Sequence, residues 1–317
     1  MMGPTPRREE GEMQFGVHLP QIGVAWPGAE IARFARAVEE MGFDAVWASD
    51  HIVFPLNVRS RYPYAESGDF PLSPAAPWLE AVTTLAFVAG ATSRVLLGTT
   101  VLVLPYRPPV LNAKMLGTLQ VLSGGRLVLG VGAGWMAEEA MALDMPWDDR
   151  GRRTDEHIQV LRVLWGQEDP RFEGRYYRVA GVRCEPRPSV MPPIWVGGHG
   201  MASLRRAARL GDGWHAVGLP PDELAESWRR VQDMARECGR DPAALVLSVR
   251  CLLRFRDKPR PDDRPLAGTP EQIVRWLEEY RRIGVGHVLL EPPLRPGPEV
   301  ALSVLERFAR EVRGRLA

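Results

Sequence analysis

Asp50 and His51 stand side by side at the end of an apolar run, GFDAVWASDH (42–51), just before the Pro-containing stretch IVFP. An imidazole titrates near neutral pH, so His51 can donate or accept a proton, or hydrogen-bond the edge of a bound ring, with Asp50 beside it. His18 closes FGVH (15–18), His199 lies inside VGGHGMAS (196–203), and His215 follows GDGW (211–214). His157 falls in mid-helix and reads as a residue of a helix face. No two histidines share a ligand spacing and acids are sparse near them, so no metal centre is expected.

The run VGGHGMAS is the clearest ligand signal. Glycines allow close backbone approach, and the first N–H groups of a helix attract anions. This turn could therefore hold an anion, and Ser203 could add a hydroxyl. The same run also fits a tight strand-to-helix turn with no ligand. GVGAGW (130–135) invites a dinucleotide reading, but G-x-G-x-x-G requires glycine at 135, where Trp135 stands. Trp47, Trp195 and Trp214 read as barrel packing. Trp135, just past its strand, could wall a pocket for a flat ring system.

Such residues need elements to carry them. Helical stretches closed by Gly42, Gly211 and Gly284 each lead into a short apolar strand, and glycine suits the turn past a helix C-terminus. Strands are expected at 13–19, 44–48, 95–103, 126–131, 193–197, 212–217, 245–252 and 285–290. Helices are expected at 28–41, 77–91, 108–122, 151–165, 201–210, 221–238, 270–283 and 298–313. Short apolar strands alternating with helices predict an α/β fold, a closed (β/α)8 TIM barrel, with chemistry at the C-terminal ends of the strands. Three insertions interrupt it: 52–76 after strand 2, a hairpin in 168–192 after strand 4, and the Pro- and charge-rich 255–269 after strand 7. Residues 1–12 read as a disordered tail and 13–317 as a single domain.

The 317 residues are 45% hydrophobic, enough for one large core. Forty Lys and Arg oppose 39 Asp and Glu, which argues against nucleic-acid or membrane-surface binding. Only Lys114 and Lys258 are lysines, so the positive charge is almost all arginine. Three scattered cysteines, no signal peptide and no apolar run of about 18 residues predict a cytoplasmic protein with no membrane span.

Taken in order, FGVHLPQ (15–21), GFDAVWASDH (42–51), LLGTTVLVLPYRPPVLNAK (96–114), LSGGRLVLGVGAGW (122–135), PPIWVGGHGMASLRRAARLGDGW (192–214) and GTPEQIVRWLEEYRRIGVGHVLL (268–290) resemble the luciferase-like monooxygenase superfamily and, within it, the coenzyme F420-dependent oxidoreductases. The resemblance implies a deazaflavin or flavin at the barrel mouth, with His51 and Asp50 catalytic and near the ring. It implies a bulge from a non-prolyl cis peptide at Thr100–Val101. His18, Gly132 and Trp135 would meet the cofactor, and Gly198, His199, Gly200 and Ser203 its phosphate. The implied activity is hydride transfer between F420 and a small-molecule substrate. The alternative is an FMN-dependent monooxygenase using O2 and fed by a reductase partner. A barrel that binds flavin without turnover, or one with no cofactor, is the third reading. A homodimer through the strand 2–3 side is also implied; helix 78–92 could serve it or simply pack on the sheet. Three positions depart from the pattern. Trp135 stands where related sugar-phosphate dehydrogenases carry a proton-donating Glu, with Glu138 and Glu139 one turn on. Pro108 replaces His, and His199 replaces Ser.

Overall fold

The computed structural model describes residues 13–23, 25–260 and 263–316; the expected tail at 1–12 lies outside these. Eight parallel strands form the barrel: β1 Gln14–His18, β2 Ala45–Ala48, β3 Leu96–Thr99, β4 Leu127–Gly132, β5 Ile194–Gly197, β6 Gly213–Val217, β7 Val246–Leu252 and β8 Val285–Glu291. Their order is β3-β2-β1-β8-β7-β6-β5-β4, and β3 pairs with β4 to close the ring. Every residue of β2, β3, β4 and β5 is buried, because one face meets the barrel interior and the other meets helices.

The outer layer is α1 Gly28–Glu40, α2 Ala81–Ala89, α3 Pro109–Leu122, α4 Ala137–Ala142, α5 Arg150–Gly166, α6 Met201–Leu210, α7 Pro221–Glu237, α8 Pro270–Ile283 and α9 Pro298–Glu311. α8 starts with a capping box between Thr269 and Gln272 and ends at Gly284 with φ 97°. Two expectations are corrected. The helix expected at 77–91 starts only at Ala81, because the Glu80 carboxylate accepts the Val82 and Thr83 amides and fixes the N-terminus. The strand expected at 95–103 breaks after Thr99 and resumes as Leu102–Val103; the Thr100–Val101 peptide between them is cis. Short α4 appears between β4 and α5, where no helix was expected.

The expected hairpin is present as Phe172–Glu173 against Arg178–Val179. The insertion after β7 begins and ends in a small parallel pair, Arg254–Phe255 with Ala267–Gly268. Residues 52–80 carry no helix or strand of their own beyond the Ile22–Trp78 bridge, and they fold over the barrel mouth. Among the described residues, no helix is long and apolar enough to cross a membrane.

The barrel interior is unusually polar for its depth. The Trp47 ring stacks on Trp195 at 5.5 Å and on His215 at 5.3 Å. A hydrogen-bonded chain runs from Thr100 Oγ1 to His215 Nε2 (2.9 Å), from His215 Nδ1 to Ser248 Oγ (2.8 Å), and on to His287 Nδ1 (2.9 Å). Burial holds both histidines neutral, His215 well below its ordinary pKa and His287 at about 3.

Candidate active site

A cavity of about 1140 Å³ opens at the C-terminal ends of the strands. His51 leaves β2 into it. The Nδ1 of His51 lies 2.5 Å from Glu139 Oε2 on α4. Glu139 is fully buried, and its carboxylate also accepts the Tyr106 hydroxyl (3.0 Å) and the amides of Ile52 (2.7 Å) and Val53 (3.3 Å). Burial, together with the Glu139 charge, raises the Tyr106 pKa strongly, so its hydroxyl stays protonated and donates. An acceptor-only carboxylate at Nδ1 places a proton there and turns Nε2 to the cavity. Among the described residues, Nε2 has no protein partner.

Asp50 faces the other way. Its carboxylate takes two hydrogen bonds from Arg107, at 2.9 and 2.8 Å, and a third from the Val103 amide at 3.0 Å. Arg107 also binds Glu80 at 2.8 Å. Asp50 therefore ties β2 to the resumed half of β3 and to the start of α2, with three hydrogen bonds to its carboxylate.

Between β3 and β4 the cis peptide sits on glycines. A Cβ at Gly132 would come within 2.7 Å of Val101 Cγ2, and one at Gly197 within 2.8 Å of Val101 Cγ1. A Cβ at Gly130 would overlap the Thr99 carbonyl oxygen. This explains GVG and VGG more fully than a phosphate motif does: β4 and β5 must be bare where Val101 presses in. Thr100, Val101 and Gly132 line the cavity floor.

His18 closes β1 with Nδ1 donating to the Leu19 carbonyl (2.7 Å) and Nε2 against Ser49 Oγ (2.8 Å). Burial, reinforced by Arg250, drops its pKa to about 4. Arg250, on β7, reaches both Ser49 Oγ and the Thr100 carbonyl at 3.3 Å and is bound by Glu291 at 2.7 Å. Burial opposes ionisation of Glu291, yet Arg250 keeps it below the usual carboxylate range.

At the start of α6, Gly198 has φ 103°, and a Cβ there would meet Ser203 Oγ at 2.6 Å. No side chain caps α6, which leaves its first N–H groups to a cavity occupant. The Nε2 of His199 accepts the Val217 amide (3.0 Å), and burial lowers its pKa to about 4, so the ring is neutral. Gly200 and Ser203 also line the cavity.

Aromatic rings wall the space above His51. Trp78 lies 4.6 Å from His51 edge-on, Phe70 5.8 Å and Trp135 5.9 Å, and Tyr62 packs on Trp135 at 5.1 Å. The structure thus brings His18, Asp50, His51, Thr100, Val101, Gly132, Trp135, Gly198, His199, Gly200 and Ser203 around one cavity. Sequence reading missed Glu139 as the partner of His51, as well as Arg107, Ser49, Arg250 and Glu291. Arg107 lay in the quoted PYRPP, and Glu139 was noted only for its distance from the glycines. Among the described residues, no group of three or more His, Cys, Asp or Glu could hold a metal ion.

Residues 13–263 match the family described as luciferase-like monooxygenase. An F420-dependent glucose-6-phosphate dehydrogenase of Beutenbergia cavernae is 37% identical over 335 aligned residues, covering 90% of this chain and 93% of the relative. An F420-dependent hydroxymycolic acid dehydrogenase of Mycobacterium tuberculosis is 33% identical over 246 residues, covering 77% of this chain and 63% of the relative. Among solved structures, an F420-dependent secondary alcohol dehydrogenase in complex with an F420-acetone adduct superposes with TM-score 0.77. It is 19% identical and covers 96% of this chain and 99% of that one, a likeness of fold. The extent of the family match, with its residues gathered at the barrel mouth, makes this chain a member of the luciferase-like monooxygenase family.

Proposed function

We propose that the protein is an F420-dependent oxidoreductase that moves a hydride between the deazaflavin and a small organic substrate, with His51 handling the accompanying proton. The observation that carries this is the His51–Glu139 pair, which leaves Nε2 bare inside a ring-walled cavity that ends in an uncapped helix start. The residues suit a flat cofactor with an anionic tail. The floor is cut back to glycine at 132 and 197, and Gly198, Gly200, Ser203 and the first amides of α6 would take a phosphate. Bound there, a deazaflavin would supply a carbon-centred hydride donor or acceptor.

The rest falls to the chain. Oxidising an alcohol removes a hydride from carbon and a proton from oxygen; His51 Nε2 accepts that proton and returns it in the reverse direction. Glu139 fixes the tautomer and steadies the imidazolium that forms. Tyr62, Phe70, Trp78 and Trp135 exclude water and favour a substrate with an apolar body. Asp50 acts through geometry, holding the β2 end against Arg107.

Purified protein is titrated with F420 and with FMN by fluorescence, then assayed for F420 reduction with a panel of primary and secondary alcohols. Micromolar binding of F420 with weak FMN binding supports the reading. Preference for FMN with O2 consumption replaces it with the monooxygenase, and binding of neither overturns it.

A further inference from the structure

Thr100 lines the cavity floor, and its hydroxyl begins a path that leads away from the mouth. Thr100 Oγ1, the His215 ring, Ser248 Oγ and His287 Nδ1 follow one another at 2.9, 2.8 and 2.9 Å, all buried. His287 pairs in register with Gln14, the first residue of β1, so the path runs toward the end of the barrel opposite the mouth. Both rings are neutral, because burial opposes their protonation.

A hydroxyl and a neutral imidazole each bring one proton, and each can also accept. Two arrangements therefore use every contact in the chain. The protons point either all toward His287 or all toward the cavity. The far end decides between them. His287 Nε2 is buried with no partner among the described residues, and so are the indole nitrogens of Trp47 and Trp195. Two of these atoms converge: a Cβ at Gly16 would overlap Trp47 Nε1 and stand 2.8 Å from His287 Nε2. An indole N–H donates and cannot accept. Protons pointing toward His287 would make Nε2 a third N–H there, donor against donor in a dry core. Protons pointing toward the cavity leave a lone pair on Nε2, facing the Trp47 donor. That arrangement protonates His287 at Nδ1 and His215 at Nε2. Trp47 stacks on His215 with 5° between the planes, which keeps the ring from turning over.

We propose that His287, Ser248 and His215 are positioning residues that fix the Thr100 hydroxyl as a hydrogen-bond donor into the cavity. Thr100 accepts from His215 while it donates, so the chain polarises it as a donor. Its partner is an acceptor on the bound ring, a carbonyl oxygen or an unprotonated nitrogen. The identity of that ring rests on the F420 reading above; the direction of the chain does not.

The test reads the protons first and binding second. Long-range proton–nitrogen NMR spectra of protein carrying isotope-labelled histidine distinguish the two tautomers of each ring, with the six histidines assigned by substitution. Ligand-free protein should show His287 protonated at Nδ1 and His215 at Nε2. The reverse pair overturns the proposal. Ser248→Ala cuts the chain, and His215 should then populate both tautomers. A His215 ring left unchanged by that substitution overturns the positioning role. In fluorescence titrations Thr100→Val should bind F420 roughly fivefold more weakly than the wild type, the effect of one neutral hydrogen bond. Thr100→Ser should restore most of that affinity. Equal affinity of the wild type and Thr100→Val overturns the donor role. Wild-type protein that binds neither F420 nor FMN overturns the functional reading instead, and the tautomers of the two rings still decide the direction of the chain.

Discussion

Adjacent residues just past the end of β2 carry opposite burdens, and substitution should separate them. His51→Ala removes the ring nitrogen that this turn offers to the cavity, while Glu139 keeps the Tyr106 hydroxyl and the Ile52 amide. Turnover should fall by roughly 10²-fold or more, with the F420 dissociation constant changed little. Parallel losses in steady-state rate and in binding would refute proton transfer. Asp50→Ala instead leaves Arg107 buried with half its partners gone. It should cost about 3–5 kcal/mol in denaturant unfolding. A stable Asp50→Ala protein with lost turnover would make Asp50 the chemical residue. Glu139→Gln keeps the volume but mixes the His51 tautomers, and kcat should drop more than KM. The Asp–His dyad was visible in the sequence as a pair. The split in their roles was not, because Glu139 is 88 residues from His51 and Arg107 is 57 from Asp50. Only closure of the barrel brings them together.

At the scale of elements, β3, β4 and β5 form a steric lock. The glycines of GVG and VGG were readable as unusual, but Gly132 and Gly197 answer to the Val101 side chain and Gly130 to the Thr99 carbonyl, distant in sequence, which leaves no local signal. Gly132→Ala should destabilise the protein by about 1–3 kcal/mol through overpacking against Val101. Val101→Ala in the same protein should recover most of that loss. Additive losses in the double variant, measured by urea unfolding, would rule out the contact. The strands and most helices were legible because alternation of buried strands with amphipathic helices is a repeated pattern. The break in β3 is not a pattern of residue types, so the composition of LLGTTVLV reads as one strand. The start of α2 was misplaced because Trp78 and Leu79 are apolar, whereas Glu80 decides the cap.

For the whole molecule, pH and assembly are the relevant properties. His18, His157 and His287 are buried neutral, with pKa values lowered by burial to about 4, 3 and 3, Arg250 adding to the effect at His18. Above pH 6.5 neither folded nor unfolded protein protonates them, and their effect on stability is nil. Between 6.5 and about 4 the unfolded chain takes up protons that the folded chain refuses. Stability should therefore fall as pH drops, by roughly 1.4 kcal/mol per pH unit for each. A urea midpoint flat from pH 7 to 4.5 would contradict this. On the outside, α2 and α3 expose Phe87, Val110, Leu111 and Leu122, the last 72% exposed. The protein is expected to sediment as a dimer, and Phe87→Asp with Leu122→Asp to sediment as a monomer. A monomeric wild type would remove the idea.

Glu138 and Glu139 hold the first part of the mouth loop from below: Glu139 by the amides of Ile52 and Val53, Glu138 by Arg59 and Ser60. At the far end, Trp78 Nε1 donates to the Ser49 carbonyl. Between these two clasps, residues 61–77 are a cassette that carries Tyr62, Tyr64 and Phe70 but none of the groups that hydrogen-bond His51. A lineage could trade that cassette and change its diet while the reaction itself stayed intact, and an engineer could do the same with one cloning step.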